Sequence, residues 1–304
     1  MHDTGFDIVT GAFGYSGRYI TQMLLDRGRR VRTLTGHPGH PHPFGDRVEA
    51  LPFNFDAPDR LTASLRGVDT LYNTYWVRFN RGEQTLDCAL ANSRVLIRAA
   101  AEAGVRRFVH ISIANPSADS PFPYYRGKAA VERALAESGL SYAVLRPTVL
   151  VGEAGILVNN IAWMLRRLPV FGIFGDGSYQ IQPAYVGDVA ALAVASALRP
   201  ENLTVDAVGP ETFTFNDFIR LIRERIGAHA RIIHIPPWLG LTVGAALGRL
   251  THDVVITPDE IGGLMANLLI SHHPPTCPTR FSDWLEQHQA ELGREYQSEL
   301  RRHF

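Results

Sequence analysis

The feature that most narrows the fold stands at the start of the chain. A short apolar run, Phe6 to Thr10, passes directly into Gly11-Ala12-Phe13-Gly14-Tyr15-Ser16-Gly17. Beyond it Tyr19, Ile20, Met23, Leu24 and Leu25 recur at helical spacing as far as Gly28. The order is strand, glycine loop, helix. Glycines at 11, 14 and 17 let the backbone approach a pyrophosphate, while the helix N-terminus offers N–H donors and the positive end of its dipole. The same glycines in a tight turn serve helix–sheet packing. Their place after the first strand, inside a βαβ unit, favours dinucleotide binding, with Phe13 and Tyr15 as further contacts.

The unit repeats. Val31 to Thr35 reads as a second strand and Val48 to Phe55 as a third. Leu61 to Leu65 is a short helix and Thr70 to Tyr75 a fourth strand. A helix from about Gln84 to Ala103 stops at Gly104. A strand Phe108 to Ser112, a helix Tyr124 to Ser138 stopped by Gly139 and a strand Tyr142 to Leu145 follow. Alternation of this kind builds an α/β fold, a Rossmann-type doubly wound parallel sheet with helices on both faces. We expect residues 1–150 to form that domain and 151–304 a smaller C-terminal substrate lobe, with residues 179–208 or so returning to the main sheet. In the lobe, helices are expected over Ile156 to Leu168 and Asp188 to Leu198. Thr257-Pro258-Asp259-Glu260 is a capping box opening a helix that buries Ile261, Leu264, Met265, Leu268 and Leu269.

Charge excludes some functions. The 304 residues carry 30 basic and 30 acidic side chains, which leaves no electrostatic footprint for nucleic acid. Two cysteines, Cys88 and Cys277, lack CxxC spacing, so neither a disulfide framework nor a zinc site is expected. The residues after Met1 show no basic and apolar leader pattern, which points to a cytoplasmic protein. Trp238 to Leu250, with Gly240, Gly244 and Gly248, is too short to span a bilayer and leaves peripheral membrane contact open.

Of the 30 basic residues, 29 are arginine and one is lysine, Lys128. Arginine replaces a solvated lysine readily, but not where a compact, titratable ammonium on a flexible stem is needed. Lys128 follows Tyr124 by four residues in Tyr124-Tyr125-Arg126-Gly127-Lys128, so both lie on one helix face. An i,i+4 surface pair is the plainer alternative.

Cofactor selectivity is read at the end of the second strand. An acid about 20 residues past the glycine loop would accept from the ribose hydroxyls of NAD. Thr35, Gly36 and His37 stand there instead, so nothing repels a 2′-phosphate, while no arginine stands there to hold one, and NADP is favoured over NAD. Asp56 ends the third strand, as an acceptor for the adenine amino group or as a cap ahead of Ala57-Pro58. Asn73 and Thr74 end the fourth strand where cofactor backbone contacts fall. Tyr75 and Trp76 either wall a substrate pocket or fill core.

Gly11-x-x-Gly14-x-x-Gly17, Asp56, Asn92, Tyr124-x-x-x-Lys128 and Arg146-Pro147-Thr148 together resemble the extended short-chain dehydrogenase/reductase superfamily, over nearly the whole chain. The Tyr124 to Lys128 segment after His110-Ile111-Ser112-Ile113-Ala114-Asn115 is most similar to the atypical branch holding the nucleotide-binding accessory subunit of respiratory complex I. The N-terminal half is also similar to NmrA-like NAD(P)H sensors. Gln182 to Ala190 is similar to the segment by which epimerase- and dehydratase-like members return to the sheet. The resemblance implies that Tyr124 exchanges the substrate proton. It also implies that Lys128 bonds the nicotinamide ribose and lowers the tyrosine pKa, and that Pro147 touches the cofactor. Ile113 occupies the usual position of the orienting serine and Ser112 stands one residue early. Ser112 is therefore the catalytic candidate out of register, and Asn115 the polar group that can stand in near a substrate oxygen. Pairing of two copies through the helices near Gln84 and Tyr124 is a further implication.

His37, His40 and His42 sit among prolines without a carboxylate or thiol, which suits a cofactor-covering loop better than a metal site; no metal is expected. His272 and His273 read as a solvated turn. Trp163, Met164, Phe171 and Phe174 form either a pocket roof or the lobe's own core. The reading that follows is an NAD(P)-dependent oxidoreductase acting on a carbonyl or alcohol of a moderately apolar small molecule. The alternatives are a non-catalytic NAD(P)H-binding sensor or accessory subunit, and a nucleotide-sugar epimerase or dehydratase, whose diphosphate would need Arg146, Arg166 and Arg167.

Overall fold

The run Phe6–Thr10 forms strand β1, buried from Asp7 onward, and each later apolar run in the first half adds a neighbour to it. In the computed structural model, which describes residues 5–39 and 41–300, β2 (Val31–Thr35) and β3 (Val48–Pro52) lie to one side of β1. On the other side lie β4 (Val68–Asn73), β5 (Arg107–Ile111), β6 (Tyr142–Pro147) and, from later in the chain, a strand over Leu203–Ala207. The pairings β3-β2-β1-β4-β5-β6 are parallel. The order reverses at β1, so the cleft for a ligand opens at the C-terminal ends of β1 and β4. Helices α1 (Tyr15–Asp26), α2 (Pro58–Leu65), α3 (Leu86–Ala103) and α4 (Pro123–Ala136) make the crossovers. Thr85 caps α3 by accepting the Cys88 N–H, and Gly104, at φ 72°, ends it.

The chain divides into two compact units. One runs to Pro147 and takes in Val189–Asp206; the other comprises Thr148–Asp188 and the chain from Ala207 onward. The first has a core of Ile8, Leu34, Leu71, Leu96, Phe108 and Val144 with their neighbours. Fully buried Arg107 sits at the start of β5, where its guanidinium donates to Ser141 Oγ (2.7 Å) and to the carbonyls of Ser196 (3.1 Å) and Glu201 (2.9 Å).

Four strand ends differ from expectation: β5 stops at Ile111, ahead of Ser112, β6 continues to Pro147, and β3 and β4 stop short. β3 stops at Pro52, because Asn54 takes a left-handed conformation (φ 49°) and turns Phe53 and Phe55 into an aromatic cluster with Tyr75. β4 stops at Asn73, where Thr74 and Tyr75 turn back onto Thr10.

The second unit packs α5 (Ile156–Arg167) and α7 (Phe215–Arg225) with three two-stranded sheets, while α6 (Val186–Ser196) belongs from Val189 onward to the first unit. Those sheets pair β7 (Val149–Val151) with β10 (Pro183–Tyr185), β8 (Val170–Phe174) with β13 (Arg231–Ile235), and β9 (Gln180–Ile181) with β12 (Phe213–Thr214). The Leu203–Ala207 strand of the large sheet is β11. Phe171 lies in this unit's core with Met164 packed against it, and Trp163 meets Tyr296 edge-on. The next helix, α8 (Pro237–Thr251), buries Gly240, Gly244 and Gly248, while Trp238, Val243 and Leu250 are exposed. The capping box at Thr257 forms as expected and opens α9 (Pro258–Met265). That helix is shorter than its pattern. Asn267 turns left-handed (φ 57°), which leaves Met265 exposed and takes Leu268 and Leu269 off the helical face. The last helix is α10 (Phe281–His288). No helix among the described residues is long and apolar enough to cross a membrane.

Candidate functional site

The glycine loop is shaped by two close approaches. Gly11, at φ 63°, turns the chain out of β1, and a Cβ on Gly17 would lie 2.1 Å from the Gly11 carbonyl oxygen. Any side chain at 17 would therefore prise the first turn of α1 off the loop. Gly14 is the N-cap, with no side-chain hydrogen bond and no acid in the first turn. With no side chain capping the helix and no acid beside it, this N-terminus suits an anion. Phe13 stacks on His42 at 3.9 Å with ring planes 11° apart, and Phe44 lies 6.4 Å from Phe13. The Pro/Gly/His segment thus folds back over the phosphate loop. His40 lies outside the described residues, and among the described residues no cluster of potential metal ligands occurs.

At the end of β2, Thr35 accepts the His37 N–H (3.2 Å) beside exposed Gly36 and His37, with no acid in these three positions. Arg47 lies over the Phe44 ring at 6.0 Å. Asp56 is exposed and caps nothing, because Ala57 is the N-cap of α2, so the capping role is not realised. Tyr75 accepts a hydrogen bond from Asn92 of α3 (2.9 Å).

Tyr124, Lys128 and Glu132 recur every fourth residue of α4 and so share one face. Tyr124 is half-buried and Lys128 is 3% exposed. Lys128 Nζ donates to the Ile111 carbonyl (3.0 Å) and lies 4.8 Å from the Trp76 ring centroid. Trp76 meets Tyr124 edge-on at 6.0 Å, and a Cβ on Gly127 would come within 2.9 Å of its ring. Glycine at 127 therefore lets the indole roof both candidate residues. Burial lowers the Lys128 ammonium to about 7, partly opposed by the Glu132 carboxylate. Trp76 Nε1 is buried and has no hydrogen-bond partner among the described residues.

Ser112 is buried, and its hydroxyl donates to Glu132 Oε1 (2.5 Å). The same carboxylate takes Arg146 Nη2 at 2.5 Å. Ser112 and Arg146 thus belong to one tie between α4, β5 and β6. Arg166 donates to the carbonyls of Leu292, Ile226 and Gln289, and Arg167 to those of Gly293 and Arg294. Asn115 is exposed and left-handed (φ 54°), and buried Pro147 accepts the Ala114 N–H at 2.8 Å.

Sequence reading passed over three residues here: Thr10, His110 and Glu132. Thr10 and Asn73 are hydrogen-bonded side chain to side chain (3.0 Å), and Asn73 pairs with His110 both in strand register and through its amide (3.1 Å). The available signal was a polar residue near the end of each of three successive buried strands. Glu132 was marked by its four-residue spacing from Lys128.

A family model described as NAD(P)H-binding matches residues 11–162. The chain is 25% identical to the Arabidopsis thaliana mitochondrial NADH dehydrogenase [ubiquinone] 1 alpha subcomplex subunit 9, over 86% of this chain and 70% of that one. It is 26% identical to a ceramide reductase of Caulobacter vibrioides, over 85% of this chain and 82% of that one. In fold it is similar to a Staphylococcus aureus nucleoside-diphosphate-sugar epimerase, with a TM-score of 0.72 at 15% identity, covering 97% of this chain and 98% of the other.

Proposed function

This chain belongs to the NAD(P)H-binding family, and from that premise we propose that it is an oxidoreductase acting on a carbonyl or alcohol of a small, moderately apolar molecule. The observation that carries the reading is the pairing on α4: half-buried Tyr124 one turn before buried Lys128, both under Trp76. When bound, the nicotinamide supplies the hydride chemistry. Gly11, Gly14 and Gly17 with the N-terminus of α1 hold the pyrophosphate, Asp56 faces the adenine, and Lys128 holds the ribose. Phe13, Tyr15, Asn73, Thr74 and Pro147 complete the cradle. Tyr124 moves a proton at its Oη, and Lys128 supplies the neighbouring charge that makes a phenol competent near neutral pH. Trp76 and Tyr75 keep water from that proton. Ser112 is held by Glu132, so in this reading it positions α4 and does not touch substrate.

NADP is the preferred form. Thr35, Gly36 and His37 set no carboxylate against a 2′-phosphate, and Arg47 lies by the covering loop. A cytoplasmic location is part of the reading, in keeping with two free thiols, exposed Cys88 and buried Cys277. The commitment of Ser112 to Glu132, with Ile113 at the usual serine position, favours a second reading: an NAD(P)H-binding sensor or accessory subunit without turnover. Arg146, Arg166 and Arg167 are all engaged within the protein, which weighs against a nucleotide-sugar diphosphate as substrate.

The test is calorimetric titration of wild type and Lys128→Arg with NADH and NADPH, followed by a carbonyl panel. The oxidoreductase reading expects tighter NADPH binding and turnover by wild type, and binding without turnover by Lys128→Arg. Equal binding with no cofactor consumed by either protein would replace it with the sensor reading.

A further inference from the structure

Thr10, Asn73 and His110 are each 0% exposed and stand near the C-terminal ends of three neighbouring strands. Their hydrogen bonds have a determinable direction. The Thr74 backbone N–H can only donate, and it donates to Thr10 Oγ1 (2.8 Å). The Thr10 hydroxyl proton passes on to Asn73 Oδ1 (3.0 Å), which also takes the Tyr75 N–H (3.1 Å). The Tyr75 N–H is shared between Asn73 Oδ1 and Thr10 Oγ1 (3.1 Å each), and with the Thr10 hydroxyl it favours the amide with its oxygen on this side, because a flipped amide would set its NH2 against that N–H. Asn73 Nδ2 then faces His110 Nδ1 at 3.1 Å, and that ring nitrogen must accept. The His110 proton is on Nε2, which is buried and has no hydrogen-bond partner among the described residues. Protonating Nδ1 would oppose two donors and place a second cation near Lys128.

We propose that Asn73 locks His110 as the neutral Nε2–H tautomer, so that the imidazole takes up no proton beside Lys128. Facing this pair are Thr10 from β1, Asn73 from β4, Trp76 after β4, and Tyr124 and Glu132 from α4; Glu132 is tied to Arg146 and Ser112. Burial and the Lys128 charge both hold the imidazole well below the usual histidine range. An ordinary histidine here would put a second titration across physiological pH on the group that holds the ribose. That consequence rests on the cofactor role read above, whereas the lock stands on the hydrogen bonds alone.

Two-bond 1H–15N correlation spectra of the 15N-histidine-labelled full chain test the lock, with the His110 signal assigned by its loss in His110→Gln. The expected result is an Nε2–H pattern that does not move between about pH 5.5 and 8.5. A signal that titrates in that range, or an Nδ1–H pattern, overturns the proposal. Asn73→Asp should turn the neighbour into an acceptor for Nδ1–H and produce the imidazolium. The pH profile of NADH affinity should then gain a second step as the ring deprotonates. His110→Gln, which keeps a neutral group, should retain the single-step pH profile of wild type; a second step appearing there overturns the proposal. If no protein binds NADH, the wild-type spectrum still decides the lock while the cofactor reading falls, so the two fail separately.

Discussion

Lys128 is the single lysine of the chain. Its ammonium is buried, with a backbone carbonyl and an indole face as groups that meet it. A base whose folded pKa is lowered binds fewer protons folded than unfolded, so stability rises with pH between the two values. Here that window runs from about 7 to the ordinary 10.5. Wild-type stability should therefore increase as pH rises through it, and Lys128→Met should flatten the slope. The variant should also stabilise the unliganded protein at pH 7 by up to about 4 kcal/mol. Urea unfolding at several pH values reads both effects, and an unchanged slope would mean that water reaches the ammonium. At Gly17 the controlling quantity is a distance. A methyl group 2.1 Å from the Gly11 oxygen cannot be accommodated without moving backbone, so Gly17→Ala should cost about 2–3 kcal/mol and abolish NADH binding in calorimetry.

At the scale of the element, α4 is held by the face it presents. The Glu132 carboxylate joins Ser112 and Arg146, with side-chain exposures of 11% for Glu132 and 31% for Arg146, so the pair is only partly screened. Glu132→Ala leaves a cation and a hydroxyl without their acceptor and should destabilise by about 2 kcal/mol. It should weaken NADH binding as well, because the helix that carries Lys128 loses its anchor; denaturant midpoints and calorimetry on one sample separate the two effects. α8 shows the opposite arrangement, with glycines inside and large apolar side chains outside. A Cβ on Gly240 would lie 2.0 Å from the Phe174 ring, while Leu250 is 79% exposed. Gly240→Leu should therefore cost about 3 kcal/mol or more, and Leu250→Glu less than about 0.5 kcal/mol, as read from thermal midpoints.

For the whole molecule, the parallel order β3-β2-β1-β4-β5-β6 places the glycine loop, Asn73 and Lys128 in one unit of the chain. Cofactor bound to that unit stabilises the folded state by mass action. NADPH at about one hundred times its Kd should add about 2.7 kcal/mol, and NADH at the same concentration should add less if the 2′-phosphate is recognised. Thermal shift with the two dinucleotides measures this directly, and equal shifts would remove the NADP preference.

The glycine loop, the alternation of strands and helices, and the Tyr124–Lys128 spacing were legible from residue order, because each is a local pattern with a fixed geometric period. Dinucleotide binding followed from them without any knowledge of tertiary contacts. Partnership was not legible. That Ser112 faces Glu132, that His42 lies on Phe13, and that Asn73 orients His110 depend on strand register and loop return across many intervening residues. The end of β3 was misjudged for a related reason. Phe53 and Phe55 continue a strand pattern in the chain, yet they gain more by packing with Tyr75 once Asn54 turns left-handed. Residue order thus carries what a chain can bind through its backbone, while the protonation state of a buried side chain comes from neighbours that folding alone brings within hydrogen-bond distance.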